Sequence, residues 1–300
     1  VIMHISADLL IRLANEAIAK RLRQPNDIVA IYLTGSVLKE DSLIGGTTDI
    51  DLVMVHKEIP ETEREIQRIS YEISLDIQHH HQSFYAYPRR LRLNPWLGYA
   101  LTNHNSILYD SDHWLEFIQA GVSSQFLSPE TLYDRARFFG EKTRTDWFEL
   151  EDPQARTFSA WMKGYFQTIS TVANAVACLS GPALTTRRFM LDFPARAAAI
   201  EHLSLTGDLA RLIGNEAMSD ELYAEWRPAW EQALISAGKT PNCPADLFPA
   251  RKAYYLNCCD ALVEANASHA ALWPLLQTWQ QAADVLANNP SQQENWVSFL

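Results

Sequence analysis

Residues 31–55, IYLTGSVLKEDSLIGGTTDIDLVMV, contain the pattern that decides the fold of this chain. An apolar strand over residues 27–34 is followed by Gly35 and Ser36, and after twelve intervening residues a second strand begins with Asp-Ile-Asp. Glycine permits a tight turn and lets a phosphate group approach the backbone, because it has no Cβ. Ser36 adds a hydroxyl and an N–H at the expected start of a helix, where phosphate oxygens bind favourably. The turn is therefore a candidate phosphate-binding site.

Two carboxylates share one face of the second strand, which we expect over residues 49–55. Asp49 and Asp51 are separated by one residue, so both point to the same side, roughly 6.6 Å apart along the chain. Neighbouring carboxylates repel each other unless a cation lies between them. A pair of Mg²⁺ ions, roughly 3.5–4 Å apart, accounts for this arrangement. A solvated strand face is the alternative for an isolated Asp-x-Asp, but it does not explain the preceding Gly-Ser turn.

A third carboxylate, Asp76, lies in an expected strand over residues 71–78. Apolar residues occupy every second position from Ile73 to Ile77, so Asp76 points to the opposite, polar face. If this strand lies beside the second one, its carboxylate converges with the other two. The three histidines that follow, His79–His81, favour a strand end at the surface over a metal-binding tract, because alternation sends neighbours to opposite faces.

The remaining local patterns predict both helices and strands. Helical periodicity over residues 5–24 precedes the first strand. Pro60 and the charged residues 61–68 predict a short helix. A short apolar run, SILYD, occupies residues 106–110.

The character of the chain changes near residue 127, beyond which helical patterns dominate. We therefore expect an α+β protein with a small mixed β-sheet domain at residues 1–125. An all-helical, substrate-binding domain should follow at residues 126–300. Two domains also agree with a length of 300 residues, at roughly 150 residues per domain.

The composition of the chain limits the classes of partner that it is expected to bind. The formal net charge of −11 argues against a large nucleic-acid-binding surface, which is normally basic. No apolar run approaches the roughly 18 residues of a membrane span, and the first residues lack the basic region of a signal peptide. The four cysteines lack the spacing of a zinc site and suit a reducing compartment. We expect a cytoplasmic protein with no membrane partner.

The motif resembles that of the DNA polymerase β-like nucleotidyltransferases. The resemblance covers about residues 28–110 and consists of the apolar strand with Gly-Ser, the linker, the Asp-x-Asp and the later aspartate on a strand. The helical half is similar to the arrangement of aminoglycoside nucleotidyltransferases. The resemblance implies that the first domain is a nucleotidyltransferase domain. It also implies that Gly35 and Ser36 hold the phosphates of a nucleoside triphosphate, for which ATP is the expected one.

The same resemblance assigns roles to the carboxylates. It implies that Asp49 and Asp51 bind two Mg²⁺ ions. It further implies that Asp76 completes one metal site and helps to deprotonate an acceptor hydroxyl. The expected reaction is Mg²⁺-dependent transfer of a nucleoside monophosphate to a hydroxyl group, with a small molecule as the first choice of acceptor.

In such enzymes a basic residue of the helical domain often neutralises the triphosphate. Lys163, Arg187 and Arg188 are the candidates for nucleotide binding. A solvated surface charge is the alternative for each of them. Two other functions stay open: a regulatory, antitoxin-like module that modifies or binds a protein, and an RNA-modifying nucleotidyltransferase. The basic cluster Arg89, Arg90 and Arg92 is the only support for the second.

Overall fold

The chain divides into two units, Val1–Leu132 and Tyr133–Leu300. The computed structural model describes residues 5–38, 43–151, 157–215, 218–241 and 243–288. All described strands lie in the first unit, and the second is helical, so the predicted α+β class is confirmed. The division falls a few residues after the predicted boundary at residue 125. Within the described ranges, no helix is long and apolar enough to cross a membrane.

The first unit is built on a five-stranded mixed sheet with the strand order β3–β4–β2–β1–β5. Strand β2 runs parallel to β4, and the other neighbouring pairs are antiparallel. The elements are α1 (Ala7–Leu22), β1 (Ile28–Thr34), β2 (Thr48–His56), β3 (Arg64–Arg68), β4 (Ile73–His81), α2 (Pro88–Leu91), α3 (Leu97–Ala100), β5 (Ile107–Asp110) and α4 (Trp114–Ser123). The condition under which the three aspartates converge is met, because β2 and β4 are neighbouring strands.

The helix predicted after Pro60 is wrong, because residues 64–68 form the edge strand β3. This strand pairs antiparallel with β4, and Ile66 lies opposite Asp76. The charged residues that favoured a helix are typical of an edge strand, where charges discourage pairing with other chains. Pairing with β4 therefore overrides the local helical preference of this segment.

Each face of the sheet is apolar where helices cover it. One face packs against α1, which contributes Leu10, Ala14 and Ile18 to a buried cluster. The opposite face packs against α2, α3 and α4. Alternation along β2 places Ile50 on the first face and Val53 on the second. The sheet is thus the middle layer between two layers of helix.

The three histidines at the end of β4 alternate between the two faces, as the strand pattern predicted. The Nδ1 atom of His79 lies 2.9 Å from Nε2 of His56. On the other face, Nδ1 of His80 lies 2.8 Å from the Tyr85 hydroxyl, which lies 2.8 Å from the hydroxyl of Tyr32. His80 is therefore tied to two buried tyrosines rather than exposed at a loose strand end.

The second unit is a set of packed helices around α11. Its helices are α5 (Pro129–Leu150, which begins before the division), α6 (Phe158–Ala177), α7 (Phe189–Ala199), α8 (Leu205–Ile213), α9 (Asp220–Ala237), α10 (Lys252–Glu264) and α11 (Ser268–Ala287). The ring of Trp273 stacks on Phe189 at a centroid distance of 4.1 Å. The indole N–H of Trp230 donates to the hydroxyl of Thr278 at 2.9 Å. Both tryptophans are buried, so they belong to the core.

The free energy of unfolding should fall as the pH drops from about 6.5 to about 4. Burial, followed by the neighbouring His79, lowers the pKa of His80 from 6.5 to about 4. Between these values the unfolded chain binds a proton that the folded chain excludes. His80 therefore contributes stability above the unfolded-state pKa, and this contribution is lost as the pH falls towards the folded-state pKa.

Urea unfolding of the parent and of His80→Gln at several pH values measures this effect. Glutamine can hydrogen-bond Tyr85 but cannot take up a proton, so the variant should show a shallower pH dependence between pH 6.5 and pH 4. Equal slopes in the two proteins would contradict the assignment to His80.

Candidate functional site

The register of the sheet brings the predicted carboxylates to one end of one face. Asp51 on β2 lies opposite Thr34 of β1 on one side and Asp76 of β4 on the other. Asp49 lies opposite Ser74. Neighbouring strands are about 4.8 Å apart, and paired residues point to the same side, so Asp51 and Asp76 are side by side. The structure thus places the three aspartates on adjacent strands and on a common face.

The polar end of this face differs sharply from the rest of it. Farther along β2, Val53 and Val55 point to the same side and lie in the apolar cluster beneath α2, α3 and α4. Asp49 and Asp76 are buried, at 1% and 3% exposure, while Asp51 is partly exposed. A buried carboxylate needs a charged or hydrogen-bonding partner, because removing it from water is unfavourable. Of the three aspartates, Asp51 is therefore the one whose side chain reaches solvent, while Asp49 and Asp76 are withdrawn from it.

The turn at Gly35 lies directly against the Asp51 carboxylate. Gly35 has a φ of +69°, in the left-handed region that favours glycine. A methyl group at this position would place its carbon 1.8 Å from Oδ2 of Asp51. Gly35 begins a single turn of 3-10 helix, Gly35–Leu38, in which Ser36 is partly exposed. The backbone and a carboxylate thus approach each other at the point that the sequence assigns to phosphate binding.

A second glycine turn leads the chain into β2. Gly45 and Gly46 both have positive φ, +62° and +67°, as in the tight turns that join antiparallel segments. The amide of Thr47 donates to the carbonyl of Ile44 at 3.3 Å and closes this turn. Residues 39–42 of the linker lie outside the described residues. The glycine pair therefore fixes the direction in which the chain enters β2, which begins at Thr48, one residue before Asp49.

Arg64 is a site residue that the sequence analysis missed. Its Nε donates to Oδ1 of Asp76 at 2.8 Å, and its Nη2 donates to Oδ2 at 2.6 Å. The pair is bidentate, the geometry in which arginine binds carboxylates most strongly. Reading residues 61–68 as a helix hid this contact. The sequence carries no local signal for this contact, because charged residues lie on both sides of β3 and give it no apolar period.

The donor set suits magnesium, since the three aspartates offer only carboxylate oxygens, which are hard donors. Across the part of the chain that the structure describes, however, no three Asp, Glu, His or Cys side chains are arranged to hold one metal ion. Asp76 instead gives both oxygens to Arg64. The chemistry of the donors fits Mg²⁺, and the two-ion site stays a prediction.

The predicted nucleotide-binding cations all belong to the second unit. The Lys163 side chain is 64% exposed, and its Nζ lies 4.0 Å from Oδ2 of Asp284. Arg187 is buried, with its guanidinium 3.5 Å from the centre of the Tyr254 ring. Arg188 ends the same short 3-10 turn, Thr186–Arg188. Exposure favours Lys163 as a ligand-binding residue, whereas Arg187 is already part of the packing of its unit.

Part of the basic cluster that supported RNA binding contacts the protein itself. The guanidinium of Arg92 donates through Nε to the carbonyl of Gly121 at 3.0 Å, which ties it to α4. Arg89 and Arg90 are exposed, and the Arg90 guanidinium lies 4.9 Å from the centre of the Tyr87 ring. One of the three charges is therefore directed at the protein itself.

No protein-family model matches the chain, and no match was found among curated proteins. Membership of a nucleotidyltransferase family is therefore an inference from the motif.

Alanine at Gly35 should destabilise the protein more than alanine at Gly46. Both glycines have similar positive φ, so each substitution introduces backbone strain of about 1 kcal/mol. At Gly46 an added methyl meets nothing within 4 Å, whereas at Gly35 it meets the Asp51 carboxylate. We expect a loss of about 2 kcal/mol or more for Gly35→Ala.

Urea unfolding of the two variants measures the difference directly. In the Gly35→Ala background, Asp51→Ala removes the obstacle and should recover part of the loss. Equal destabilisation by the two glycine substitutions would show that the Asp51 side chain moves aside without cost.

Proposed function

We propose that this protein is a Mg²⁺-dependent nucleotidyltransferase, which transfers a nucleoside monophosphate from a nucleoside triphosphate to a hydroxyl acceptor and releases pyrophosphate. The observation that carries the proposal is the position of Asp51. This residue lies beside Asp76 on a parallel neighbouring strand, and its carboxylate contacts the left-handed turn at Gly35. A phosphate-binding turn and two carboxylates at one point support phosphoryl-group chemistry.

Each residue has a proposed role. The exposed backbone at Gly35 and the hydroxyl of Ser36 bind oxygens of the triphosphate. Asp49 and Asp51 hold the metal ions from the middle strand of the site, and Asp76 completes one of the two metal sites from β4. When bound, Mg²⁺ lowers the pKa of the acceptor hydroxyl and stabilises charge on the leaving pyrophosphate.

The order of events follows from these roles. The acceptor hydroxyl attacks the α-phosphorus, the bond from that phosphorus to the bridging oxygen of pyrophosphate breaks, and the hydroxyl proton passes to a base. Asp76 is the proposed base, since its oxygens lie beside Asp51 on the same face. Gly35 and Ser36 keep the phosphates in line during the transfer, so their contribution is orientation.

Charge balance supports a further cation from the helical unit. A triphosphate carries about four negative charges, which two Mg²⁺ ions balance. The three aspartates then leave about three negative charges, and Arg64 compensates for one of them. We propose that Lys163 supplies another positive charge to the phosphates, with Arg187 and Arg188 as the next candidates.

We further propose a small molecule with a free hydroxyl as the acceptor, ATP as the donor and the cytoplasm as the compartment. The net charge of −11 supports a small acceptor over nucleic acid. The four cysteines are free, which supports a reducing compartment. Pyrophosphate release by the purified protein, measured with each triphosphate against a panel of hydroxyl compounds, tests both substrates together.

The Asp51→Asn variant should lose Mg²⁺-dependent pyrophosphate release by at least about 100-fold while it keeps the fold. The substitution removes a charged ligand and leaves the volume of the side chain almost unchanged. Asp8→Asn, at an exposed position of α1, removes the same charge and should retain full turnover.

Circular dichroism and the urea midpoint separate the two possible failures. An active Asp51→Asn variant would mean that the residue is not a metal ligand. A variant that unfolds would mean that the carboxylate is structural.

Lys163→Ala should weaken triphosphate binding by about tenfold, the effect of losing one phosphate contact. Arg188→Ala should have a smaller effect. Arg187→Ala is expected to lower stability as well, because it removes the buried guanidinium from the face of Tyr254. Arg137→Ala, on an exposed face of α5, is the control for a lost positive charge.

Equilibrium binding of a non-hydrolysable triphosphate gives these affinities without turnover. If Lys163→Ala, Arg187→Ala and Arg188→Ala all bind as tightly as the parent, the compensating charge comes from elsewhere.

A further inference from the structure

Arg64 holds the carboxylate that is proposed both to bind metal and to act as a base. It lies on the edge strand β3 opposite Gln78, and its side chain reaches diagonally to Asp76. Two hydrogen bonds of 2.8 and 2.6 Å join its Nε and Nη2 to the two oxygens. The Asp76 side chain is only 4% exposed, and that of Arg64 is 32% exposed. The Asp76 side chain is thus almost enclosed, and its partner, the Arg64 guanidinium, is the more exposed member of the pair.

In this geometry the Arg64 guanidinium and a metal ion would need the same oxygens of the Asp76 carboxylate. A side-on arginine engages both oxygens of a carboxylate. A magnesium ligand must present at least one oxygen at about 2.0–2.1 Å from the ion. Two cations close to one carboxylate in a poorly solvated site repel each other strongly. Full engagement of Asp76 by Arg64 and full engagement by a metal ion are therefore in competition.

We propose that Arg64 regulates the affinity of the site for its second metal ion by competing with that ion for Asp76. This inference rests on the proposed function. Before a metal ion binds, Arg64 neutralises the buried carboxylate of Asp76. Metal binding draws at least one oxygen of Asp76 away from Arg64, and the same release frees the oxygen that accepts the acceptor's proton. Arg64 is thus a positioning residue that acts through Asp76.

A purely structural anchor for β3 gives a different expectation. If Arg64 only ties the edge strand to the sheet, its removal loosens Asp76 and leaves metal affinity unchanged or weaker. If Arg64 competes with the metal, its removal leaves a buried charge without this partner, and metal binding becomes tighter. The direction of the change in metal affinity distinguishes the two roles.

The chain contains a matched control for the lost charge. Arg68 lies on the same strand and the same side as Arg64, opposite Ser74. Its Nε donates to the carbonyl of Ser70 at 3.0 Å, and its guanidinium lies 5.3 Å from the centre of the Tyr71 ring. Arg68→Ala removes one positive charge from the same edge of the sheet without removing the bidentate pair. It therefore measures the general electrostatic effect on metal affinity.

The experiment titrates Mn²⁺ into the protein in the absence of nucleotide. The paramagnetic signal of the free ion measures how much Mn²⁺ remains unbound. Arg64→Ala should lower the dissociation constant for Mn²⁺ by about tenfold, and Arg68→Ala by less than about twofold. Arg64→Lys keeps the charge but cannot form the bidentate pair, so it should lie between the parent and Arg64→Ala. In an Asp76→Asn background, Arg64→Ala should have no effect on affinity, because the proposed coupling passes through Asp76.

Each result has a distinct meaning. If the parent protein binds no Mn²⁺, the proposed function itself is overturned. If the parent binds Mn²⁺ but Arg64→Ala binds it no more tightly than Arg68→Ala does, only the competitive role of Arg64 is overturned. Should Arg64→Ala fail to fold, Arg64→Lys decides the matter, and an affinity equal to that of the parent would reject the competition. A gain that persists in the Asp76→Asn background would also reject it.

Discussion

The alignment of β2 between β1 and β4 is the constraint on which the candidate site depends. It sets Asp51 opposite the last residue of β1 and beside Asp76 of β4. Because β1 ends there, the next residue, Gly35, turns where the Asp51 side chain emerges, and only a residue without Cβ fits. The helices that cover the rest of this face leave the polar end to the turn and the aspartates. A change in strand pairing would separate groups that are far apart in the sequence.

Most of the first unit could be predicted because β1 is a continuous apolar run. In β2, near its aspartates, and in β4, apolar residues occupy every second position. The apolar positions of β1, β2 and β4 indicated the buried faces, and the buried clusters contain those residues. Strand β3 could not be recognised from residues 61–68, since an edge strand with charges on both sides has no apolar period. Its strand conformation comes from hydrogen bonding to β4. A pattern within residues 61–68 carries no information about that neighbouring strand. The length of β4 was underestimated for a similar reason: the polar His79–His81 continue the pairing with β2.

The carboxylates of the candidate site were predictable individually, and their shared face followed from alternation. The sequence could not show that Asp49 and Asp76 are buried while Asp51 is partly exposed, because burial depends on neighbouring strands and helices. Nor could it show the bidentate contact of Arg64, which joins two strands across a turn. Arg64 therefore compensates for one of the three negative charges that the aspartates alone would give the site. Lys163 and Arg188 are harder to assign, because their roles depend on ligand contacts rather than on a local pattern.

The alternation of charge and apolar side chains along β2 has a consequence for folding. If β2 slipped by one residue against its neighbours, Asp49 and Asp51 would enter the apolar cluster beneath α1, and Ile50 and Leu52 would leave it. Each aliphatic side chain would lose roughly 2 kcal/mol of burial, and each carboxylate would be placed among groups that cannot hydrogen-bond it. The aspartates therefore act against misaligned pairings as well as marking the proposed reactive end of the sheet. Neutral substitutes at these positions would weaken that discrimination, so the residues proposed for chemistry also help the chain to select a single strand alignment.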